Sequence, residues 1–169
     1  MSQSTQQHRA AAPKAVRCAV VTVSDTRTLE TDRGGQLLEE CLTAAGHSVT
    51  RREIVPDDPK RIRSLVEELA DATALDAILV TGGTGIAARD QTYETVSELL
   101  TKTLPGYGEL FRMLSYDDIG PAAMLSRTIG GLIGQVVLLT MPGSPAAVRL
   151  ALDKLILPEL AHVVYEARK

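Results

Sequence analysis

The stretch DAILVTGGTGIAARDQT, residues Asp76 to Thr92, decides the architecture. From Ala77 to Val80 it is continuously apolar, which suits a strand covered on both faces. Gly82, Gly83 and Gly85 follow, with Thr81 and Thr84 among them and Asp90 at the exit. Glycines tolerate positive φ and let backbone N–H groups converge on an anion, and the threonines add hydroxyl donors. A tight turn between strand and helix would use the same residues.

Upstream, VRCAVVTVSD (16–25) is a second buried-strand pattern. A helix follows, with Leu37, Leu38, Cys41, Leu42 and Ala45 on one face and Gly46 as its closing residue. HSVTRREIVP (47–56) is another strand. It leads into a helix capped by Asp58, with Pro59 at its first position and Ile62, Leu65, Val66 and Leu69 facing inward. Two strand-helix units running into a third strand specify a mostly parallel sheet with helices on both faces, a three-layer α/β/α fold.

Downstream, the pattern predicts a helix over YETVSELLTKTL, ending at Pro105, and a short helix from Glu109. SRTIGGLIGQVVLLT (126–140) predicts two strands around a Gly-Gln turn, adding an antiparallel hairpin. MPGSP then starts a helix, AAVRLALDKLIL, and another helix follows Pro158. We therefore expect a flexible tail over residues 1–14 and one domain over 15–169.

With 169 residues there is room for a single sizeable core. A net charge of -3 and 3% aromatic residues argue against a nucleic-acid surface. Cys18 and Cys41 lack CxxC spacing and lie on apolar faces, so they read as small hydrophobes. His8, His47 and His162 are too scattered for a metal site. The opening lacks the apolar core of a secretory signal, and no run approaches the roughly twenty apolar residues of a membrane span. A soluble, cytoplasmic protein is expected, with no membrane partner.

The informative residues are those that follow each apolar run, because ligands of open α/β sheets lie beyond the carboxyl ends of the strands. They are Ser24 and Asp25, then Asp57, then the glycine loop through Asp90, then Pro142, Gly143, Ser144 and Pro145. A Walker P-loop is excluded, because Ile86, Ala87 and Ala88 follow Gly85 where lysine is required. Gly83 to Ala88 fits a relaxed GxGxxA pattern, but the acidic ribose ligand expected about 20 positions later is missing. Asp90 or Thr92 could simply cap the next helix. Alternatively, a carboxylate beside an anion loop calls for a divalent cation between them, and Mg²⁺ is the natural candidate. Asp25, Asp57 and Asp90 along one sheet edge then point to metal-assisted phosphoryl or nucleotidyl transfer. Arg112 and Arg127 each interrupt an apolar stretch, as phosphate ligands or as structural ion pairs.

Taken in order, VVTVSD, IVPDD, LVTGGTGIAARDQT, PGYGELFRMLSYDDIGPAAMLSRTIGG and LLTMPGSP resemble the MoaB/Mog family of molybdenum cofactor biosynthesis proteins, its MoaB branch in particular. The resemblance runs from Val16 onward. It implies a homotrimer or hexamer and molybdopterin adenylyltransferase activity with Mg²⁺ as cofactor. In that reaction the pterin's terminal phosphate attacks the α-phosphate of ATP and pyrophosphate leaves. It further implies that Asp57 and Asp90 are the catalytic, Mg²⁺-linked carboxylates. Thr81, Gly82, Gly83, Thr84 and Gly85 would cradle pterin and nucleotide together with Pro142, Gly143, Ser144 and Pro145, with Ser24 and Asp25 beside them. Other proteins of the pathway become candidate partners. The alternative is a non-catalytic molybdopterin-binding scaffold or carrier.

Overall fold

A computed structural model describes residues 11–169, so residues 1–10 of the expected tail lie outside the described residues. The chain alternates β1 (Arg17–Val23), α1 (Arg33–Ala44), β2 (Ser48–Val55), α2 (Pro59–Asp71) and β3 (Ala77–Thr81). After the glycine turn come α3 (Thr92–Leu99), the two-residue β4 (Lys102–Thr103), α4 (Pro105–Ile119) and a 3-10 segment (Gly120–Leu125). β5 (Gly130–Ile133) and β6 (Val136–Met141) form the expected hairpin, and α5 (Pro145–Ala151) and α6 (Leu157–Ala167) close the chain.

The sheet order is β2-β1-β3-β6-β5-β4. β2, β1, β3 and β6 are parallel, and β5 and β4 pair antiparallel at the far edge. Strand side chains alternate between faces, so each apolar run feeds two cores. Cys18, Val20, Leu79 and Leu139 pack with Leu38, Leu42, Phe111, Leu152 and Leu160 under α1, α4 and the C-terminal helices. Val21, Ile78, Val80 and Leu138 pack with Ile62, Val66 and Val96 under α2 and α3. Full burial of a Val, Leu, Ile or Phe side chain among these contributes about 1.5–3 kcal/mol relative to exposure. Burial also pushes the Cys18 thiol up to about 12, in keeping with an inert core residue. Among the described residues no helix is long and apolar enough to cross a membrane.

Three local expectations are corrected. The helix after the glycine loop stops at Leu99, and Lys102 and Thr103 pair instead with Leu132 and Gly131. A side chain at Gly131 would collide with the Lys102 carbonyl, so glycine there admits this edge strand. The next helix starts at Pro105, not Glu109, with Pro105 in its first turn. Gly108 lies inside that helix, where a Cβ would come within 2.6 Å of the Thr128 carbonyl. Finally, Pro158 does not separate two helices. A π-helical turn (Leu152–Ile156) joins α5 to α6, Leu157 N–H donating to the Leu152 carbonyl, and Pro158 falls in the first turn of α6, where it costs little.

Asp76 staples the ends of the domain together. Its side chain is 4% exposed and accepts from Arg17 N–H at 2.7 Å and from the Arg17 guanidinium at 2.7 Å, with Arg168 also paired to it. Burial alone would raise this carboxyl, but the Arg17 hydrogen bonds and the charges of both arginines outweigh it and hold it below the usual carboxylate range. Because the folded-state value lies below the unfolded one, this stabilisation is complete above the unfolded-state pKa and is lost as pH falls through the folded-state pKa. Asp76→Ala is expected to cost about 2–3 kcal/mol at neutral pH by urea unfolding, the half-exposed arginines limiting the loss. The difference from wild type should shrink in acid. A variant as stable as wild type at pH 7 would contradict the staple.

Candidate functional site

Because four strands are parallel, their carboxyl ends open on one edge of the sheet. β1 delivers Ser24 and Asp25 there, β2 delivers Asp57, β3 the glycine turn, and β6 the turn Pro142 to Pro145. Two adjoining spaces result. The larger, about 670 Å³, is lined by Ser24, Arg27, Arg33 and Gly34 with Gly82, Gly83, Gly143 and Ser144. The smaller, about 150 Å³, is bounded by Asp25, Asp57, Arg89 and Asp90, and shares Ser24 and Gly83 with its neighbour.

The glycine turn is conformationally demanding. Gly82 has φ 97° and Gly83 φ 62°. A side chain at Gly82 would collide with the Val23 carbonyl, and one at Gly83 with Thr92 Oγ1. The turn is pinned to the last strand by Gly82 N–H donating to the Met141 carbonyl at 3.0 Å. Thr81 and Thr84 are buried, at 0% and 4% exposure, and line neither space. Thr81 donates to the Pro142 carbonyl at 3.1 Å and so braces the two turns against each other. Ser144 Oγ accepts from Ala147 N–H and caps α5, while Ser24 Oγ accepts from Thr26 and Arg27 N–H.

The carboxylates are linked through backbone. Asp25 Oδ1 accepts from Asp57 N–H at 3.1 Å, and Asp57 Oδ1 accepts from Gln91 N–H at 3.2 Å. Asp90 Oδ2 accepts from Ala87 N–H at 2.8 Å, inside its own loop. Neither Asp90 nor Thr92 caps α3, correcting that simpler reading: Gln91 occupies the cap position without a side-chain bond. Thr92 Oγ1 is instead buried without a partner. Asp58 does cap α2, accepting from Arg61 N–H at 2.9 Å. The Asp57 carboxyl is held above its ordinary value, first by burial and then by the charges of Asp90 and Asp25, against the opposing Gln91 N–H and Arg89. A cation in the recess would relieve that repulsion.

Neither histidine among the described residues belongs to the site. His47 Nδ1 accepts from Val16 N–H, and His162 pairs with Glu159. Arg112 reaches the Ser126 and Thr128 carbonyls, and Arg127 grips the glycine loop. What the sequence reading missed is the start of α1. Asp32, 3% exposed, accepts from Gly35 N–H and Thr22 Oγ1, both at 2.9 Å, and pairs with Arg52 at 3.3 Å. It fixes the helix start that offers Arg33 and Gly34 to the larger space. Aspartate ahead of a helical apolar pattern was the available signal.

A parallel sheet whose strand ends gather glycine turns, arginines and carboxylates defines an α/β protein with a layout suited to an anionic ligand. A family model described as a probable molybdopterin binding domain matches residues 19–162. The chain is 56% identical over 167 residues to molybdenum cofactor biosynthesis protein B of Bacillus cereus, covering 98% of this chain and 99% of that one. With the Bacillus subtilis protein of the same name the identity is 52% over 168 residues, covering 98% of each. A crystal structure of a molybdenum cofactor biosynthesis protein B superposes with TM-score 0.90 at 57% identity, over 93% of this chain and 98% of that chain. The Pyrococcus furiosus tungsten cofactor synthesizing protein MoaB gives 0.83 at 38% identity, over 94% and 100%. The chain belongs to the MoaB/Mog family of molybdenum cofactor biosynthesis proteins.

Gly83→Ala is expected to lower stability by about 2–3 kcal/mol, from left-handed strain plus the Thr92 collision. Gly106→Ala, with nothing within 4 Å, is the control and should be nearly neutral. Urea midpoints measure both. Equal midpoints would show that the turn has room to spare.

Proposed function

We propose that this chain adenylylates molybdopterin. The terminal phosphate of the pterin attacks the α-phosphorus of ATP, a new P–O bond forms, the bond to the bridging oxygen of the β-phosphate breaks, and pyrophosphate leaves with its electron pair. The nucleophile is already anionic, so catalysis rests on positioning and on offsetting charge. One observation carries this reading: a space lined by arginines and glycine backbone adjoins a recess bounded by Asp25, Asp57 and Asp90. A phosphate reaching from the first into the second would meet carboxylates, an arrangement that is repulsive without a cation.

The donor set fits Mg²⁺. Among the described residues no three His, Cys, Asp or Glu side chains form a ready cage. Mg²⁺ favours one or two carboxylates and completes its shell with water and phosphate oxygens. Asp57 and Asp90 are the residues that would hold it, and its contribution when bound is to draw charge from the reacting phosphates. Arg27, Arg33 and the backbone around Gly82 and Gly143 bind and orient the phosphorylated substrates. The demand for ATP fits a cytoplasmic protein.

On the same reading the chain works as a homotrimer or hexamer, with other proteins of the pathway as further partners. Its support is an apolar surface on α4 and the 3-10 segment, where Met113 is 58% exposed, Ile119 59% and Met124 78%. Met113 and Met124 line one hollow there together with Tyr116, and exposed apolar surface of this kind suits an interaction face.

Asp90→Asn is expected to lower the rate of adenylylated pterin formation about 100-fold or more while molybdopterin binding persists. Chromatography of the pterin products and calorimetry measure the two. Wild-type protein that binds molybdopterin equally well with and without Mg-ATP and makes no adenylylated product would be a carrier instead. Met113→Asp is expected to shift the chain to a smaller species in light scattering, and an unchanged mass would move the interface elsewhere.

A further inference from the structure

We propose that Arg127 is the positioning residue for Asp90, setting where that carboxylate stands in the recess. The inference deepens the adenylylation reading and rests on it. The Arg127 side chain is 25% exposed and lies across the open end of the glycine loop. Nε donates to the Gly85 carbonyl at 2.7 Å and Nη2 to the Asp90 carbonyl at 2.8 Å. Nη1 pairs with Glu94, the guanidinium stands 5.5 Å from the centre of the Tyr93 ring, and the Arg127 N–H donates to the Thr84 carbonyl at 3.3 Å.

Residues 86 to 89, between the two gripped carbonyls, are exposed, Ile86 to 69%. Their own hydrogen bonds close the loop on itself, through Asp90 N–H to the Ala87 carbonyl, Ala87 N–H to Asp90 Oδ2, and the Gln91 amide to the Ala88 carbonyl. Among the described residues, every hydrogen bond tying 85–90 to the body of the protein, beyond adjoining Gln91, comes from Arg127. The Asp90 carboxylate therefore sits on a small closed loop held at both ends by one guanidinium.

The task requires arginine. Three nitrogens spread over a planar fork reach three separate acceptors, whereas the three N–H donors of a lysine ammonium share one nitrogen and cannot span the same positions. Arg127→Lys thus keeps the charge and loses the geometry. Residues that hold a metal-binding group in place typically change cation affinity 10–100-fold when altered.

The test compares full-length wild type and Arg127→Lys. Mn²⁺ alone is titrated by electron paramagnetic resonance, and adenylyl transfer is titrated with Mg²⁺ at saturating molybdopterin and ATP. Both cation requirements are expected to rise about tenfold in the variant, with the KM for molybdopterin unchanged. Equal cation requirements overturn the inference, as does a rise in the KM for molybdopterin with no change for the cation. Wild type that binds Mn²⁺ but makes no product sinks the adenylylation reading, and the Mn²⁺ titration alone then decides on Arg127. Wild type that does neither overturns both. If Arg127→Lys does not fold, Glu94→Ala, which frees Nη1, takes its place: weaker Mn²⁺ binding supports the clamp and unchanged binding overturns it.

Discussion

Gly82 leaves the third strand with φ 97° and passes so close to the end of the first that any side chain would strike the Val23 carbonyl. That approach fixes the relation between the ends of β1 and β3. Gly143, whose Cβ position lies 3.4 Å from the Gly82 Cα, brings the turn after β6 into the same contact. The parallel pairing of β1, β3 and β6 makes such convergence possible, and the absence of a side chain at Gly82 makes it tight. Gly82 and Gly143 both border the larger space.

Charge is divided across this edge. Arg27 and Arg33 border the larger space beside Asp32, and Asp25, Asp57 and Asp90 bound the smaller one beside Arg89. Hydrogen bonds between the strand ends and the helix starts hold this arrangement in place. Arg52 ties Asp32 and the carbonyls of Leu29 and Asp32 to the second strand, and Asp32 in turn holds the start of α1. Asp57 bonds Gln91 N–H, joining the end of β2 to the entrance of α3. Carboxylates that share a confined site repel one another, and on the proposed reading the cation offsets their charge while the substrate phosphate offsets that of the arginines.

The strand ends could be read from the sequence because buried parallel strands are short apolar runs and the polar residues after them must lie on one edge. Ser24, Asp25, Asp57, Gly82, Gly83, Asp90 and Gly143 were found in this way. Thr81 and Thr84 enter the same cradle by their place in the loop and by the family resemblance, since sequence does not say which way a hydroxyl turns, and in the fold both are buried. The two-residue β4 carries no periodicity of its own and exists because Gly131 leaves room beside Lys102. Pro158 looked like a boundary because proline usually ends a helix, but a π turn ahead of it lets the helical path continue. Arg127 could be singled out as a charge in an apolar stretch, but its partners depend on a loop 42 residues away.

On the proposed reading one substrate phosphate spans the arginine-lined space and the carboxylate recess, with a divalent cation between it and Asp90. Phosphorus electron-nuclear double resonance on the complex with Mn²⁺ and molybdopterin tests it most directly. A strong phosphorus coupling to Mn²⁺ in wild type, lost in Asp90→Asn with molybdopterin still bound, is the expected result. Bound molybdopterin whose phosphorus shows no coupling to Mn²⁺, or a coupling that survives Asp90→Asn unchanged, would contradict the account.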